Sequence, residues 1–410
     1  MNFDDTAEEA GFRAEVRNFL SASATLKSAL PPGTRGRGNT PDDIVKAKAF
    51  QAKKHAAGFT GLTWPKEWGG REAPQIFQVI YNQEEEAYAV PRGVFEIGLG
   101  MCIPTMMAFA KPAQLQRHVT PALEGREIWC QLFSEPSAGS DVANLRTRAE
   151  RDGDDWIING QKIWTSGAHF ADFGIIVTRS DPGVAKHDGL TFFFLDMKSK
   201  GVEPKPIRQI SGASNFNEVF FTDVRIPDAQ RLGPVGAGWK VALTTLMNER
   251  LAIGDVPRPD VNDVLELARN LELDDGPAMR NPMVREKIAD WHVKSQGMKY
   301  TRFRTMTALS KGATPGPESS IGKLVNASKL QDIANFGMDL LGSAGIVMNP
   351  ELAPLQALFQ DALLSAPSSR IAGGTDEILR NIIAERVLGL PADIRVDKTM
   401  PFNQLPSGVR

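Results

Sequence analysis

The feature that most constrains this chain is a double change of hydrophobic period along its length. Up to about residue 127 the apolar side chains recur at helical spacing, as Phe12, Val16, Phe19 and Leu20 do on one face. From there to about residue 232 they cluster in short, dense runs, Phe173 to Thr178 and Leu190 to Leu195, with a longer β-branched and aromatic run from Phe216 to Ile226. Beyond Gly236 helical spacing returns over 238–254, 260–272, 283–310, 319–342 and 374–388. Gly276-Pro277, the stretch 312–317, Pro350 and Pro354 divide those helices. This order is not the strand–helix alternation of a doubly wound fold, and no Gly-x-Gly-x-x-Gly lies between a strand and a helix. The expected fold class is α+β and multidomain: an N-terminal helical domain (1–127), a central antiparallel β domain (128–234), a C-terminal four-helix bundle (235–395) and a tail (396–410).

Within the first part, Thr40 and Pro41 read as an N-cap followed by proline at the first helical position, opening a helix that runs to about Gly58. Three more helices are expected over 74–90, 92–110 and 112–124. Trp64 and Trp68 read as packing anchors in a turn-rich connection, and Glu84-Glu85-Glu86 as a solvated face. Asn159-Gly160 reads as a hairpin turn.

The totals exclude several classes. With 410 residues and a net charge of −2, the chain is too long for one core and has no basic stripe for nucleic acid. Two cysteines, Cys102 and Cys130, form no disulfide framework, and the five scattered histidines have no metal-ligand spacing. No run reaches the ~18 apolar residues of a membrane span. The acidic start has the wrong sign for a signal or transit peptide, so a cytoplasmic location is expected.

Four stretches carry chemistry. The first runs from Trp129 to Asp141: an apolar strand (Ile128, Trp129, Leu132, Phe133) breaks into Ser134-Glu135-Pro136 and then Ala138-Gly139-Ser140-Asp141. Pro136 stiffens the strand end, and the small residues leave the backbone open to a planar ligand or a diphosphate. The second, Asn159 to Ala168, offers the Trp164 indole beside the Thr165 and Ser166 hydroxyls. An indole can cover a flat ring, and a hydroxyl or amide can bond a ring nitrogen. The third, 236–253, is a helix on which Ala242, Leu246, Glu249 and Ile253 fall within about 60° of one another. Glu249 is then the one charge on an apolar stripe, either a carboxylate raised in pKa for general-base work or a residue paired with Arg250 at the core edge. The fourth, Ser369 to Arg386, places Thr375 as an N-cap whose free amides and dipole would favour an anion.

Together these four stretches resemble the acyl-CoA dehydrogenase family, in family order and over roughly residues 55 to 391. The resemblance implies FAD as cofactor and an acyl-CoA substrate. It places Ser166 against the reactive flavin nitrogen, Trp164 beside the ring, Ser134 on the pyrimidine side, and Ser140 between flavin and coenzyme A. Gln131, Phe133, Gly139, Thr165, Thr375 and Glu377 are implied as further cofactor contacts, and Arg250 as a substrate contact. Many members carry their catalytic glutamate directly before the Gly-Thr of the fourth stretch, where this chain has Gly373. A second group carries it in a Glu-Arg pair on the first bundle helix, which Glu249-Arg250 matches, so Glu249 is the expected base. The family's Arg-x-x-Phe-Gly segment, which reaches flavin in a neighbouring subunit, is absent after Arg280, and the bundle glycine motif reads Leu341-Gly342-Ser343-Ala344-Gly345. The implied partners are an electron-transferring flavoprotein and either copies of this chain, as a homodimer or homotetramer, or a related subunit in a mixed tetramer. The alternatives are another flavin chemistry on the same scaffold (oxidase, monooxygenase or desulfinase) or a structural subunit of a mixed complex.

Overall fold

A computed structural model describes residues 5–30, 40–91, 93–252, 259–310, 316–395 and 397–406, with the side chains of 249–252, 306, 308–310 and 319 outside that description. The first part is helical: α1 (Ala7–Ser23), α2 (Pro41–Ala56), α3 (Gln75–Glu85), α4 (Ile103–Phe109) and α5 (Pro112–Leu123), with a two-residue ribbon of β1 (Thr25–Leu26) and β2 (Tyr88–Ala89). Thr40 caps α2 through the Asp43 amide, Asp43 reaches back to the Thr40 amide, and Pro41 occupies the first turn. Phe12, Val16, Leu20, Phe59, Leu62, Ile80 and Tyr81 form this region's core. The helix expected over 92–110 is interrupted by a π-turn at Gly98–Cys102, where the Ile103 amide bonds back five residues to Gly98. Pro104 follows directly, and its missing N–H and its ring disfavour regular α-hydrogen bonding over the preceding turn.

The glutamate run at 84–86 is not a solvated face. Successive helical residues point about 100° apart, so a run of three cannot share one side. Glu84 accepts from Arg13 and Arg17 of α1 at 2.9 and 2.7 Å, Glu85 is buried against Lys54 of α2 and the Tyr81 hydroxyl, and Glu86 alone is exposed.

The middle part is one seven-stranded sheet. Its strands are β3 (Trp129–Leu132), β4 (Arg148–Asp152), β5 (Asp155–Ser166), β6 (Phe173–Arg179), β7 (Leu190–Asp196), β8 (Val202–Ile207) and β9 (Phe216–Pro227). The order is β3-β6-β4-β5-β9-β8, with β7 also paired to β6. Pairing is antiparallel except that β6 runs parallel to β3 and, at Arg148 and Arg179, to β4. The dense apolar runs of β6 and β7 follow from burial on both faces. Ile175, Val177, Phe192 and Phe194 enter one core with Trp129, Met106 and Ala242. Ile176, Phe193 and Leu195 enter the other with Trp156, Ile158 and Val219.

Asn159-Gly160 is not a hairpin turn. β5 runs straight through it, and the turn lies earlier, between Asp152 and Asp155. Gly160 answers a close approach instead: at φ +148° its missing Cβ would lie 2.6 Å from Thr147 Oγ1 and 2.7 Å from Thr147 Cα.

The last part comprises α6 (Gly238–Ala252), α7 (Val261–Arg269), α8 (Pro282–Ser310), α9 (Ser319–Leu341), α10 (Leu358–Ser369) and α11 (Asp376–Arg386), with a short ribbon of β10 (Glu272–Leu273) and β11 (Gly276–Pro277). The sequence reading lacked α10. This helix lies against α9 where Gly337 leaves room for the Phe359 ring, a Cβ there falling 2.1 Å from Phe359 Cδ1. Residues 397–406 fold back onto the sheet's 182–186 loop.

Candidate active site

The site is built on two neighbouring segments, Phe133 to Asp141 and Lys162 to Ser166. Between Lys162 and Thr165 the β5 register against β9 slips, so Ile163 and Trp164 together face the single residue Glu218. The bulge frees the Ile163 amide, which donates to the Ser134 carbonyl at 2.9 Å and joins the two segments. It also turns Trp164 outward at φ +60°, leaving that large apolar ring 56% exposed with Phe216 at its edge. Next to it Thr165 is buried, and its hydroxyl has no hydrogen-bond partner among the described residues. The Thr165 carbonyl accepts from Asn217, which is itself fully buried and bonded to His169.

A second tie is ionic. Lys162 is fully buried and donates to the Glu135 carboxylate at 2.8 Å and to the Phe133 carbonyl at 3.0 Å. Glu135 also accepts from the Arg146 and Thr147 amides at 2.6 and 2.9 Å. Burial works to raise the Glu135 carboxyl, but the Lys162 charge and these donors outweigh it and hold the pKa below the ordinary value. Burial also lowers Lys162, which Glu135 only partly offsets. Glu135 and Ala138 exchange two backbone hydrogen bonds of 3.0 Å, closing a tight turn over Pro136 and Ser137 and leaving Gly139, Ser140 and Asp141 exposed. Arg179 holds the far side of this loop. Its guanidinium donates to the Ala143 and Leu145 carbonyls at 2.6 and 3.1 Å, and burial pulls its pKa down to about 10.

Of the residues singled out from sequence, Phe133, Ser134, Trp164, Thr165 and Ser166 lie on these linked segments, with Gln131 half-buried on β3 and Gly139 and Ser140 on the open loop. Thr375 caps α11 through the Ile378 amide, and α11 packs on α9. No hydrogen bond or ion pair among the described residues links Thr375 or Glu377 to the Ser134–Trp164 segments. Glu249 and Arg250 fall within α6, but their side chains lie outside the described residues. α6 itself crosses the junction, packing on α4, its preceding π-turn, and strands β6 and β7. Thr245 of α6 and Thr105 of α4 place their hydroxyls 2.9 Å apart in that core. A cleft of about 420 Å³ opens between α6 and the 187–188 loop, lined by His187, Asp188, Trp239, Lys240, Leu243 and Met247. At the fourth stretch Gly373 and Gly374 both sit at positive φ, +66° and +96°, where a glutamate side chain would strain the backbone.

Sequence reasoning missed Glu135, Lys162 and Asn217 as site-building residues. For Lys162 a signal existed: it shares the inward parity of Trp156 and Ile158 along β5, where a charge needs a partner.

An exposed indole beside an unpartnered buried hydroxyl fits a flat, hydrogen-bonding cofactor rather than a metal, and no group of three or more metal-ligating side chains exists among the described residues. A helical region, a two-faced sheet bearing such a platform and a helical bundle packed on that sheet through α6 are the architecture expected of a flavin-dependent dehydrogenase. The chain belongs to the acyl-CoA dehydrogenase family, whose N-terminal, middle and C-terminal domain models match residues 6–126, 130–224 and 236–388. It is 35% identical over 390 residues to acyl-CoA dehydrogenase IpdE1 of Mycobacterium tuberculosis, covering 94% of this chain and 98% of that one. Among solved structures it is similar to the Tcur3481-Tcur3483 steroid ACAD, with a TM-score of 0.79, 26% identity, and 96% and 100% of the two chains covered. It is also similar to the ChsE4-ChsE5 complex from Mycobacterium tuberculosis, with a TM-score of 0.77, 26% identity, and 96% and 100% covered. Members of the family are FAD-binding oxidoreductases acting on acyl-CoA. No helix among the described residues is long and apolar enough to cross a membrane.

Proposed function

We propose that this chain catalyses the α,β-dehydrogenation of an acyl-CoA thioester to the trans-2-enoyl-CoA, with Glu249 as the base. The observation that carries this reading is the bulge in β5, which presents the Trp164 ring to solvent beside the partnerless Thr165 hydroxyl and ties both to Ser134. Trp164, Thr165, Ser166, Ser134, Gln131 and Phe133 would hold FAD, with Gly139 and Ser140 at its diphosphate side and Thr375 and Glu377 at a helix N-terminus suited to an anion. When bound, FAD supplies the acceptor for the substrate's β hydrogen. Glu249 removes the α proton, a task that suits a carboxylate whose pKa is raised by a dry setting. Ser140 and Arg250 hold the thioester so that its α carbon meets that carboxylate, since orientation is what turns a weak base into an effective one. Gly373 cannot take a proton, and its left-handed backbone is a physical reason for the base to lie elsewhere.

The steroid described for one solved relative makes a bulky, polycyclic acyl group the first candidate substrate, and Gly373, which has no side chain where many members carry a glutamate, would leave room for it. The paired-chain structures, with the missing Arg-x-x-Phe-Gly segment, support a mixed assembly in which a related subunit completes the flavin site. Reducing equivalents then pass to an electron-transferring flavoprotein. Glu249→Gln should keep the flavin absorbance while acyl-CoA-dependent dye reduction falls by about 10²- to 10⁴-fold. Activity within about threefold of the parent would remove Glu249 from the mechanism.

A further inference from the structure

The family models end at residue 388, yet residues 397–406 make an ordered return to the sheet. Pro401 bridges Ala185 in antiparallel fashion, and the Phe402 and Asn403 amides donate to the Val184 and Pro182 carbonyls at 2.8 and 3.0 Å. The Phe402 ring then lies over Arg179, 3.5 Å from guanidinium carbon to ring centroid. That guanidinium already donates to three carbonyls, Ala143 and Leu145 after the Ser140 loop and Lys186 on the 181–188 loop. Phe402 therefore caps a cation that joins both loops. A second tie lies alongside: the Lys186 ammonium, 6% exposed, donates to Asp141 at 2.8 Å and to Asp397.

Both loops border the place where the proposed substrate enters. Ser140 and Asp141 stand exposed on one, and His187 and Asp188 of the other line the cleft against α6. Lys186 is not a free cation waiting for a phosphate, since two carboxylates already satisfy it. Its geometry is that of a rivet between the loop 139–145, the loop 181–188 and the returning segment. The Asp141 and Asp397 bonds outweigh the effect of burial and raise its pKa, which keeps the rivet charged across the physiological range.

We infer that residues 397–406 form a positioning strap for the coenzyme A end of the substrate, Phe402 acting through Arg179 and Asp397 through Lys186 to hold the two loops that flank its cleft. None of its hydrogen bonds or ring contacts among the described residues reaches Ser140 or Trp164 directly, so its effect falls on affinity more than on the chemical step. This rests on the reading that Ser140 and the cleft beside α6 receive coenzyme A.

The test uses the full-length holoenzyme and acetyl-CoA, which lacks a β carbon and so binds without reacting. Calorimetric titration of Phe402→Ala should show a Kd raised about 5- to 20-fold, with Phe402→Tyr, which keeps the ring over Arg179, within about twofold of the parent. Asp397→Asn should weaken binding about threefold. With a reactive acyl-CoA, KM should rise in step with Kd while kcat stays within about twofold, and flavin content should be unchanged. Equal acetyl-CoA affinity in Phe402→Ala and the parent overturns the strap alone, as does a fall in kcat with KM unchanged. No acetyl-CoA binding by the parent overturns the coenzyme A reading of the cleft, and the strap with it.

Discussion

Replacing Lys162 with methionine tests whether the segments Phe133–Asp141 and Lys162–Ser166 are joined by charge or merely by packing. The methionine keeps most of the volume, so the change is chiefly the loss of the ammonium. Its removal leaves the Glu135 carboxylate buried without its ammonium partner, held by the Arg146 and Thr147 donors, and leaves the Phe133 carbonyl without its 3.0 Å donor. Breaking a buried pair by deleting one partner costs about 3–5 kcal/mol, a large part of a domain's whole stability of roughly 5–15 kcal/mol. The assay is urea unfolding followed by intrinsic fluorescence, with flavin release read in the same titration. Glu135→Gln added to Lys162→Met removes the stranded charge and should recover about 2 kcal/mol. The pH dependence carries a sign. In the parent the depressed Glu135 pKa contributes stability above the ordinary carboxylate range, lost as pH falls through the depressed value. Without Lys162 less opposes the effect of burial, so that carboxyl's pKa rises relative to the parent's and the variant's deficit should narrow as the solution is acidified. A single variant within about 1 kcal/mol of the parent, or a double variant less stable than the single, would refute the ionic tie.

Thr165→Val should leave the apoprotein as stable or slightly more so, since its hydroxyl has no partner to lose, while weakening FAD about tenfold in a fluorescence titration of apoprotein. Equal FAD affinity would take Thr165 out of the cofactor site. Gly160→Ala drives a methyl into Thr147 at a positive φ and should cost about 2–3 kcal/mol in a thermal or urea melt, with far-ultraviolet dichroism retained. A melt unchanged from the parent would mean that β4 and β5 can separate at little cost.

What the sequence made legible was what local chemistry decides. Thr40-Pro41 specified the start of α2 because cap, proline and N3 carboxylate lie within four residues. The both-sided burial of β6 and β7 was visible as unbroken apolar runs. What depended on partners distant in the chain was not. Glu84 to Glu86 looked alike in sequence, and only the packing of α3 against α1 and α2 separates them. Asn159-Gly160 has the composition of a turn, but its glycine serves the approach of Thr147, and the Asn159 side chain is occupied with Asp223 across the strand pair at 2.9 and 3.0 Å. α10 was hidden by the prolines around it, although Leu358, Phe359, Ala362 and Ala366 had the spacing of a buried face. In the site, side chains that suit a flavin were readable by type. The ion pair and the bulge that aim them were not, because one spans 27 residues and the other is defined only by the pairing of β5 with β9.

That bulge makes β5 a counting device. Trp156, Ile158 and Lys162 alternate inward at even positions, and the two-for-one step at Ile163-Trp164 hands the inward role to Thr165. Adding or deleting one residue between Gly160 and Ser166 would exchange the lysine's sealed seat for the indole's open one throughout that span. A length change in the exposed turn at Gly153 would leave that parity untouched. Variation in this strand should therefore accumulate as changes of side chain, whereas changes of length should be confined to its ends.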